Sequence, residues 1–313
     1  MRPDFFEISS LNNCKICPRN CGADRSSKKL GYCNSDDSFN ISSICIHKGE
    51  EPIISGSKGI CNVFFSRCNL QCVFCQNFQI SKNDEDVINH QISLEEIINR
   101  IKVQLDNGCK SVGFVSPSHF IPQMVAIIDE LNKLAVKPII IYNTNAYDKV
   151  ETIKALEGIV DVYLPDFKYF ENELAKEYSD AIDYPEISKA AIKEMFRQKG
   201  ATIVKDENGI AESGLIIRHL VLPGNVENSI KILNWIADNL STSVHISLMS
   251  QYFPTENVKN HIKLNQRISE TEYNSVVHEM ENLGFYRGWI QELESASTYQ
   301  PDFLKNHPFE KLC

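Results

Sequence analysis

An α/β fold built on a parallel sheet is what the sequence predicts, and three observations carry that prediction. From Gly59 onward, short apolar runs alternate with amphipathic segments of helical period, as β–α units in series do. The run at 138–142 is apolar throughout, which suits a strand buried on both faces of a parallel sheet. Helix signals bracket the amphipathic segments: Ser93-Leu-Glu-Glu96 and Ser269-Glu-Thr-Glu272 have capping-box form, and Gly108 and Gly284 stand at the stops. About six such units imply right-handed crossovers in one sheet. A partial barrel and a doubly wound sheet both satisfy the pattern.

The elements follow in order. Residues 1–58 form an appended module rich in Cys, Gly, Ser, Asn and Asp, in which 40–47 and 52–55 are expected to pair as a hairpin. Residues 60–65 read as a strand running directly into a cysteine loop. Leu94, Ile97, Ile98, Ile101 and Leu105 then give a helix, and 111–115 a second strand. Pro122 opens a helix with Ile127, Ile128, Leu131 and Leu134 on its apolar face, ahead of the strand at 138–142. A short helix around Val150, Ile153 and Leu156 leads to a strand at 159–164, and a helix at 184–199 carries Ile187, Ala191, Ile192 and Met195. The fifth strand is 215–221, the next helix carries Ile230, Leu233, Ile236 and Leu240, and the sixth strand is 244–248. Tyr273, Val276, Val277, Met280 and Leu283 mark the last helix; the β–α region is bounded at 59–290, with 291–313 as a tail.

Composition narrows the function classes. The 42% hydrophobic and 23% charged content is that of a globular chain, and no apolar run is long enough for a membrane span. The N-terminus, Met1-Arg-Pro-Asp-Phe-Phe-Glu, lacks the apolar core of a signal peptide. A net charge of −9 argues against a nucleic-acid partner, which needs a basic face. A cytoplasmic protein is expected. Eleven cysteines at short gaps then point to metal or cluster ligation rather than disulfides.

The densest chemistry is Phe65-Ser-Arg-Cys68-Asn-Leu-Gln-Cys72-Val-Phe-Cys75-Gln-Asn77. Its Cys-x3-Cys-x2-Cys spacing has no fourth cysteine close behind. Three thiolates can hold three corners of a [4Fe–4S] cubane and leave one iron open, whereas electron-transfer clusters are closed by four. A zinc knuckle would require a fourth ligand, commonly in two Cys pairs. Cys14, Cys17, Cys21 and Cys33 form a second, four-ligand set spaced x2, x3 and x11. A structural Zn²⁺ or an auxiliary [4Fe–4S] cluster satisfies four thiolates, with zinc favoured, and either would fold a segment poor in apolar residues. Cys45, Cys61, Cys109 and Cys313 read as core or incidental thiols.

Ligands gather at the C-terminal ends of barrel strands, and the predicted strand ends are rich in polar residues. They carry Ser116 to His119, Asn143 and Asn145, Asp166 and Lys168, Pro223-Gly-Asn225, and Ser250-Gln-Tyr252. Turn chemistry favours the same residue types.

The cysteine loop, with an aromatic residue before its last cysteine, resembles the signature of radical S-adenosylmethionine (SAM) enzymes. The likeness extends through Cys17-Pro-Arg-Asn-Cys21-Gly22, Gly113-Phe-Val-Ser-Pro-Ser-His119, Tyr163-Leu-Pro-Asp-Phe-Lys-Tyr169, Arg218-His-Leu-Val-Leu-Pro-Gly224 and Leu248-Met-Ser-Gln-Tyr252. Together these resemble the PflX-like group related to pyruvate formate-lyase activating enzyme, from residue 14 to about 290. The resemblance implies a partial (β/α)6 TIM-like barrel after the cysteine-rich module, with SAM chelating the open iron of the Cys68, Cys72, Cys75 cluster. It implies that Phe74 packs near the adenine and that Asp166 and Lys168 lie against SAM. Activating enzymes carry a Gly-Gly-Glu-type motif after the second strand, where this chain has Ser116, Pro117, Ser118 and His119; backbone carbonyls or Ser116 are the substitutes. Asn143 and Asn145 are ribose candidates, and His119 and His219 are further strand-end candidates.

The expected activity is one-electron cleavage of SAM to methionine and a 5′-deoxyadenosyl radical that abstracts hydrogen from an inert carbon, the cofactors supplying the hard chemistry. A one-electron reductant such as flavodoxin or ferredoxin is the expected partner. The substrate is a glycyl radical enzyme's backbone in the first reading, and a small molecule or a protein side chain in the second. A non-catalytic iron–sulfur or zinc scaffold is the alternative from a different class.

Overall fold

The apolar runs become the strands of one open sheet with helices on its outer face. In a computed structural model, residues 2–84, 86–293, 300–305 and 307–309 are described. In order they form β1 (Asn40–His47), α1 (Pro52–Ser55), β2 (Ile60–Phe65), α2 (Phe78–Ser81), β3 (His90–Gln91), α3 (Leu94–Asp106) and β4 (Ser111–Val115). Then follow α4 (Ile121–Leu131), β5 (Ile139–Thr144), α5 (Val150–Ala155), β6 (Val162–Pro165), α6 (Asn172–Ser179) and α7 (Tyr184–Lys199). The chain continues through β7 (Val204–Lys205), β8 (Ala211–Leu220), α8 (Val226–Asn239), β9 (His245–Met249), α9 (Glu270–Asn282) and β10 (Gly288–Ile290).

The sheet order is β10-β9-β8-β6-β5-β4-β2-β1-β3. Each neighbouring pair from β2 through β4, β5, β6 and β8 to β9 is parallel. These are the six expected strands, in chain order, and among the described residues no ladder joins the two edges. The fold is α/β with a mostly parallel, unclosed sheet, as a partial barrel has. Among the described residues, no helix is long and apolar enough to cross a membrane.

Capping explains two of the helix starts. Ser93 accepts from the Glu96 N–H at α3, and at α9 Ser269 and Glu272 form the complete reciprocal box. The faces predicted to be apolar are the ones buried: Ile97, Ile98 and Ile101 on α3, and Ile127, Ile128 and Leu131 on α4. They pack on Val63, Phe65, Val112 and Phe114 of the sheet.

The expected hairpin between 40–47 and 52–55 is not formed. β1 instead pairs antiparallel with β2, Ile44 opposite Val63, and so extends the sheet beyond its parallel part. Residues Pro52–Ser55 are a helical turn with Pro at its start, closed at Gly56 with φ 50°. Proline has no N–H for a ladder and is preset for the first helical turn. Burial supplies the second reason. Ile54 is 2% exposed and packs inside the curve of the sheet on Ile60, Ile141, Val162, Leu164 and Ile216. The turn therefore plugs the N-terminal end of the strands. β10 is parallel to β9 and was not expected, since it contributes only Gly288, Trp289 and Ile290. Gly288 is required there, because a Cβ would lie 1.9 Å from the Ile246 carbonyl oxygen.

Candidate functional site

β2 ends at Phe65 and delivers the chain into the three-cysteine loop, whose backbone is tied to neighbours on several sides. Asn83 receives the Cys68 N–H at 3.3 Å and donates to the Cys68 carbonyl at 2.9 Å. The amides of Gln71 and Val73 donate to the carbonyls of Ser179 and Tyr178 at the end of α6. Asn69, fully buried, donates to the Tyr147 carbonyl at 2.8 Å. Arg67 holds the left-handed conformation at the turn, with φ 66°.

All three sulfurs receive donors. Cys68 Sγ accepts from the Leu70 N–H at 3.4 Å and from Asn145 Nδ2 at 3.5 Å. Ser179 Oγ lies 2.9 Å from Cys72 Sγ, and Ser81 Oγ lies 3.2 Å from Cys75 Sγ. Hydrogen bonds to cluster thiolates are one way a protein tunes such a centre. Lys168 adds a positive charge beside the same sulfurs, acting on Cys68, Cys72 and Cys75. Burial alone would lower the Lys168 pKa, but Asp166 at 2.7 Å and then Cys72 more than offset it, so the ammonium is held firmly charged. Burial, then Cys72, pushes the Cys68 thiol up to about 12. Donors on every sulfur and a pinned ammonium beside them fit a three-thiolate cluster.

A cavity of about 310 Å³ opens inside the curve of the sheet next to this loop. Gln76 and Asn77 of the loop border it, along with Val115, Asn143, Met249 and Gln251 from strand ends. Its floor is charged. Arg218 on β8 makes a two-point contact with Glu51, Nε to Oε1 at 2.8 Å and Nη2 to Oε2 at 2.7 Å, and also pairs with Glu50. Arg218 is 8% exposed and Glu51 6%. Burial would raise the Glu50 carboxyl, yet Arg218 overrides it and holds that carboxyl well below the usual range. Asn62 donates to Glu50 at 2.9 Å, and a Cβ at Gly113 would lie 2.3 Å from the Asn62 oxygen. His47 borders the floor with its Nδ1 buried and without a hydrogen-bond partner.

The structure brings some of the expected site residues together and not others. Cys68, Cys72, Cys75, Lys168, Asp166 and Asn145 converge on the loop, and Asn143 lines the cavity. Asn145 serves the loop itself, bonding Asn69 at 2.8 Å as well as Cys68. Phe74 is 5% exposed and packs edge-on against Tyr178 and Tyr252, with centroids 6.3 and 6.0 Å away. Ser116 holds a left-handed conformation, φ 49° and ψ 51°, and its N–H donates to the Asn143 carbonyl at 2.7 Å. His119 is buried behind β2, with Nε2 3.0 Å from the Ser66 carbonyl. His219 lies between Phe167 O and Ser229 Oγ, at 2.7 Å from each, on the face of β8 opposite Arg218. Burial lowers the pKa of both, His119 to about 3 and His219 to about 4, so both imidazoles are neutral. Ser81, Ser179, Asn83, Glu50, Glu51 and Arg218 were missed. Arg218 stands next to His219 in sequence, and strand alternation turns the two to opposite faces.

The second cysteine set gathers in the N-terminal module. Cys14, Cys17 and Cys33 are buried and Cys21 is exposed, and Cys17 feels the charge of the other three. Among the described residues, no three Cys, His, Asp or Glu side chains close on a single ion, either in this set or in the Cys68, Cys72 and Cys75 loop. Cys45, Cys61 and Cys109 are buried, and Cys313 lies outside the described residues.

Residues 62–236 match the Radical SAM superfamily. An uncharacterized protein of Methanocaldococcus jannaschii is 33% identical over 267 residues, covering 84% of this chain and 72% of that protein. Among solved structures, SuiB of Streptococcus suis bound to the precursor peptide SuiA aligns over 75% of this chain, with a TM-score of 0.48 and 13% identity. The FeFe-hydrogenase maturase HydG of Carboxydothermus hydrogenoformans aligns over 81%, with a TM-score of 0.48 and 14% identity. A domain of the pyruvate-formate lyase-activating enzyme of Bacteroides vulgatus aligns over 53% of this chain and 89% of its own length, with a TM-score of 0.38 and 16% identity. The chain spans about half the length of the larger two, 49% of SuiB and 56% of HydG.

Proposed function

Because this chain belongs to the radical SAM superfamily, we propose that Cys68, Cys72 and Cys75 hold a [4Fe–4S] cluster that binds SAM for hydrogen abstraction. When bound, the reduced cluster and SAM supply a one-electron carbon–sulfur cleavage, giving methionine and a 5′-deoxyadenosyl radical. The observation that carries this reading is the half-buried Lys168–Asp166 pair set beside three sulfurs that each accept a hydrogen bond. Ser179, Ser81, Asn145 and the Leu70 amide orient the thiolates. Lys168 offsets their negative charge, while Asp166 keeps the ammonium in place. Asn143, Gln76 and Gln251 offer amides along the cavity for ribose and amino-acid groups.

The proposed substrate is the backbone of a partner protein, as the likeness to activating enzymes implies. A specific observation favours a second reading, a polar small molecule or a protein side chain. The cavity ends on Glu50, Glu51 and Arg218, a charged floor that a bare backbone does not need.

The test is anaerobic reconstitution with iron and sulfide, followed by reductant, SAM and detection of 5′-deoxyadenosine. Wild type should form it and Cys72→Ala should not. A well-loaded wild-type cluster that forms none would sink the reading. Cell extract split by a size filter decides the substrate class. Stimulation of turnover by the retained fraction supports a protein substrate, and stimulation by the filtrate a small molecule.

A further inference from the structure

We propose that Cys14, Cys17, Cys21 and Cys33 hold a second iron–sulfur centre, which receives single electrons from a protein reductant and passes them to the three-cysteine loop. The four-cysteine site stands on its own observations, and only the electron's destination rests on the function proposed above.

The charge balance is the first argument. Arg25 is 1% exposed, and its guanidinium donates to the carbonyl oxygens of Asp36, at 3.0 and 2.7 Å, and His119, at 2.6 Å. Its remaining polar contact is Cys14 Sγ at 3.9 Å. Among the described residues, no carboxylate lies within ion-pair distance of it. A buried cation needs a counter-charge; the Phe120 ring, 4.9 Å from the guanidinium, offers only a partial one, whereas Cys14 as a metal-bound thiolate would supply a full one.

The local fold is shaped for that set. Turns closed by the Asn20 N–H on Cys17 O and by the Asn34 N–H on Gly31 O present Cys17, Cys21 and Cys33, and Cys14 pairs with Ala23 across the module. Gly31 leaves room for the fourth sulfur, since a Cβ there would lie 2.4 Å from Cys21 Sγ.

The sequence expectation of zinc is reversed once the spacing is set against ferredoxins and the module is seen to lie beside the loop. Zinc sites usually offer two separated Cys pairs, whereas one class of ferredoxin offers three close cysteines and a distant fourth. The present x2, x3, x11 order is of the latter kind. The module is also wired to the loop. Arg19, two residues after Cys17, donates to the Asn69 carbonyl at 2.9 Å and stacks on Tyr32, 3.7 Å from its ring centre. Asn83 donates both to the Tyr32 carbonyl and to the Cys68 carbonyl, at 2.9 Å each. One layer of side chains thus separates the two sets, and exposed Cys21 gives a redox partner access. The step moves one electron and no atoms: a reduced flavodoxin-class donor is oxidised by one electron, and the loop centre is reduced by one.

The experiment uses the full chain, reconstituted anaerobically, with iron, sulfide and zinc measured per chain. In Cys72→Ala, about four irons and four sulfides should remain, with an electron paramagnetic resonance signal on reduction. In Cys17→Ser the loop centre should remain, with 5′-deoxyadenosine formed at wild-type rate under dithionite but at least ~10-fold more slowly under reduced flavodoxin. One zinc and no iron in Cys72→Ala would overturn the site. Equal flavodoxin-driven rates in wild type and Cys17→Ser would overturn the relay. Should Cys17→Ser fail to fold, the metal content of Cys72→Ala still decides the site. Should no reductant yield 5′-deoxyadenosine, the reading of the loop fails while that metal content still decides the second centre.

Discussion

Removing the guanidinium from the cavity floor should destabilise the fold in a way that acid reverses. Arg218→Leu leaves Glu50 and Glu51, with side chains 8% and 4% exposed, without their cation. In wild type, Arg218 holds the Glu50 carboxyl well below its ordinary value against the opposing effect of burial, which stabilises the fold wherever that carboxyl is ionised. That stability is present above the unfolded pKa and fades as pH falls through about 2. The variant inverts the sign. Burial without Arg218 raises the Glu50 carboxyl above its unfolded value, so stability is lost as pH rises. Breaking a buried pair by deleting one partner costs about 3–5 kcal/mol, and we expect that loss at pH 8. At pH 6 it should shrink by about 1 kcal/mol or more, as Glu50 takes up a proton. His47, which faces Glu50 at 4.0 Å and is repelled by Arg218, protonates more readily in the variant and acts in the same direction. Urea unfolding of both proteins at the two pH values measures this. A loss under about 1 kcal/mol, or one of equal size at both pH values, would refute the claim that the floor is held by charge balance.

Three further perturbations probe the same architecture. Lys168→Met removes the positive charge beside the loop sulfurs; at an effective dielectric near 20, a few kcal/mol of lost attraction makes the loop centre about 60–120 mV harder to reduce. A redox titration followed by electron paramagnetic resonance reads this, and an unchanged potential would remove Lys168 from the site. His219 is lowered to about 4 by burial, so the unfolded chain takes up the proton first and stability falls with falling pH. Wild type should lose about 2 kcal/mol more than His219→Gln between pH 6.5 and 5 by urea unfolding; parallel profiles would contradict that. Gly113→Ala sets a methyl 2.3 Å from the Asn62 oxygen and should cost about 1–3 kcal/mol through overpacking, seen as a lower thermal midpoint; an unchanged midpoint would show that Asn62 can yield.

Much of the parallel sheet was legible because strands buried on both faces must be apolar throughout, as 138–142 is. That same property hid the site's polarity. Side chains alternate across a strand, so Arg218 and His219 face opposite ways, and an apolar frame gives no sign of which face is the cavity. The histidine at the strand end drew the functional reading, yet it faces Ser229 of α8 while Arg218 faces the cavity. The cysteine loop was legible because thiolate ligation needs only local spacing. The serines that serve it, Ser81 and Ser179, were not, since Ser179 is 107 residues from Cys72 in sequence. Glu50 and Glu51 lay in a segment expected to be a hairpin. Only the burial of Ile54 inside the sheet turns that segment into a floor.

The plug formed by α1 sets Glu51 and Pro52 into the same cavity wall as Gln76 and Asn77 of the cysteine loop. One chamber thus offers a guest both a charged contact and the edge of the loop, so the reach of a ligand that touched both would be set by the spacing of those two walls as much as by its charge.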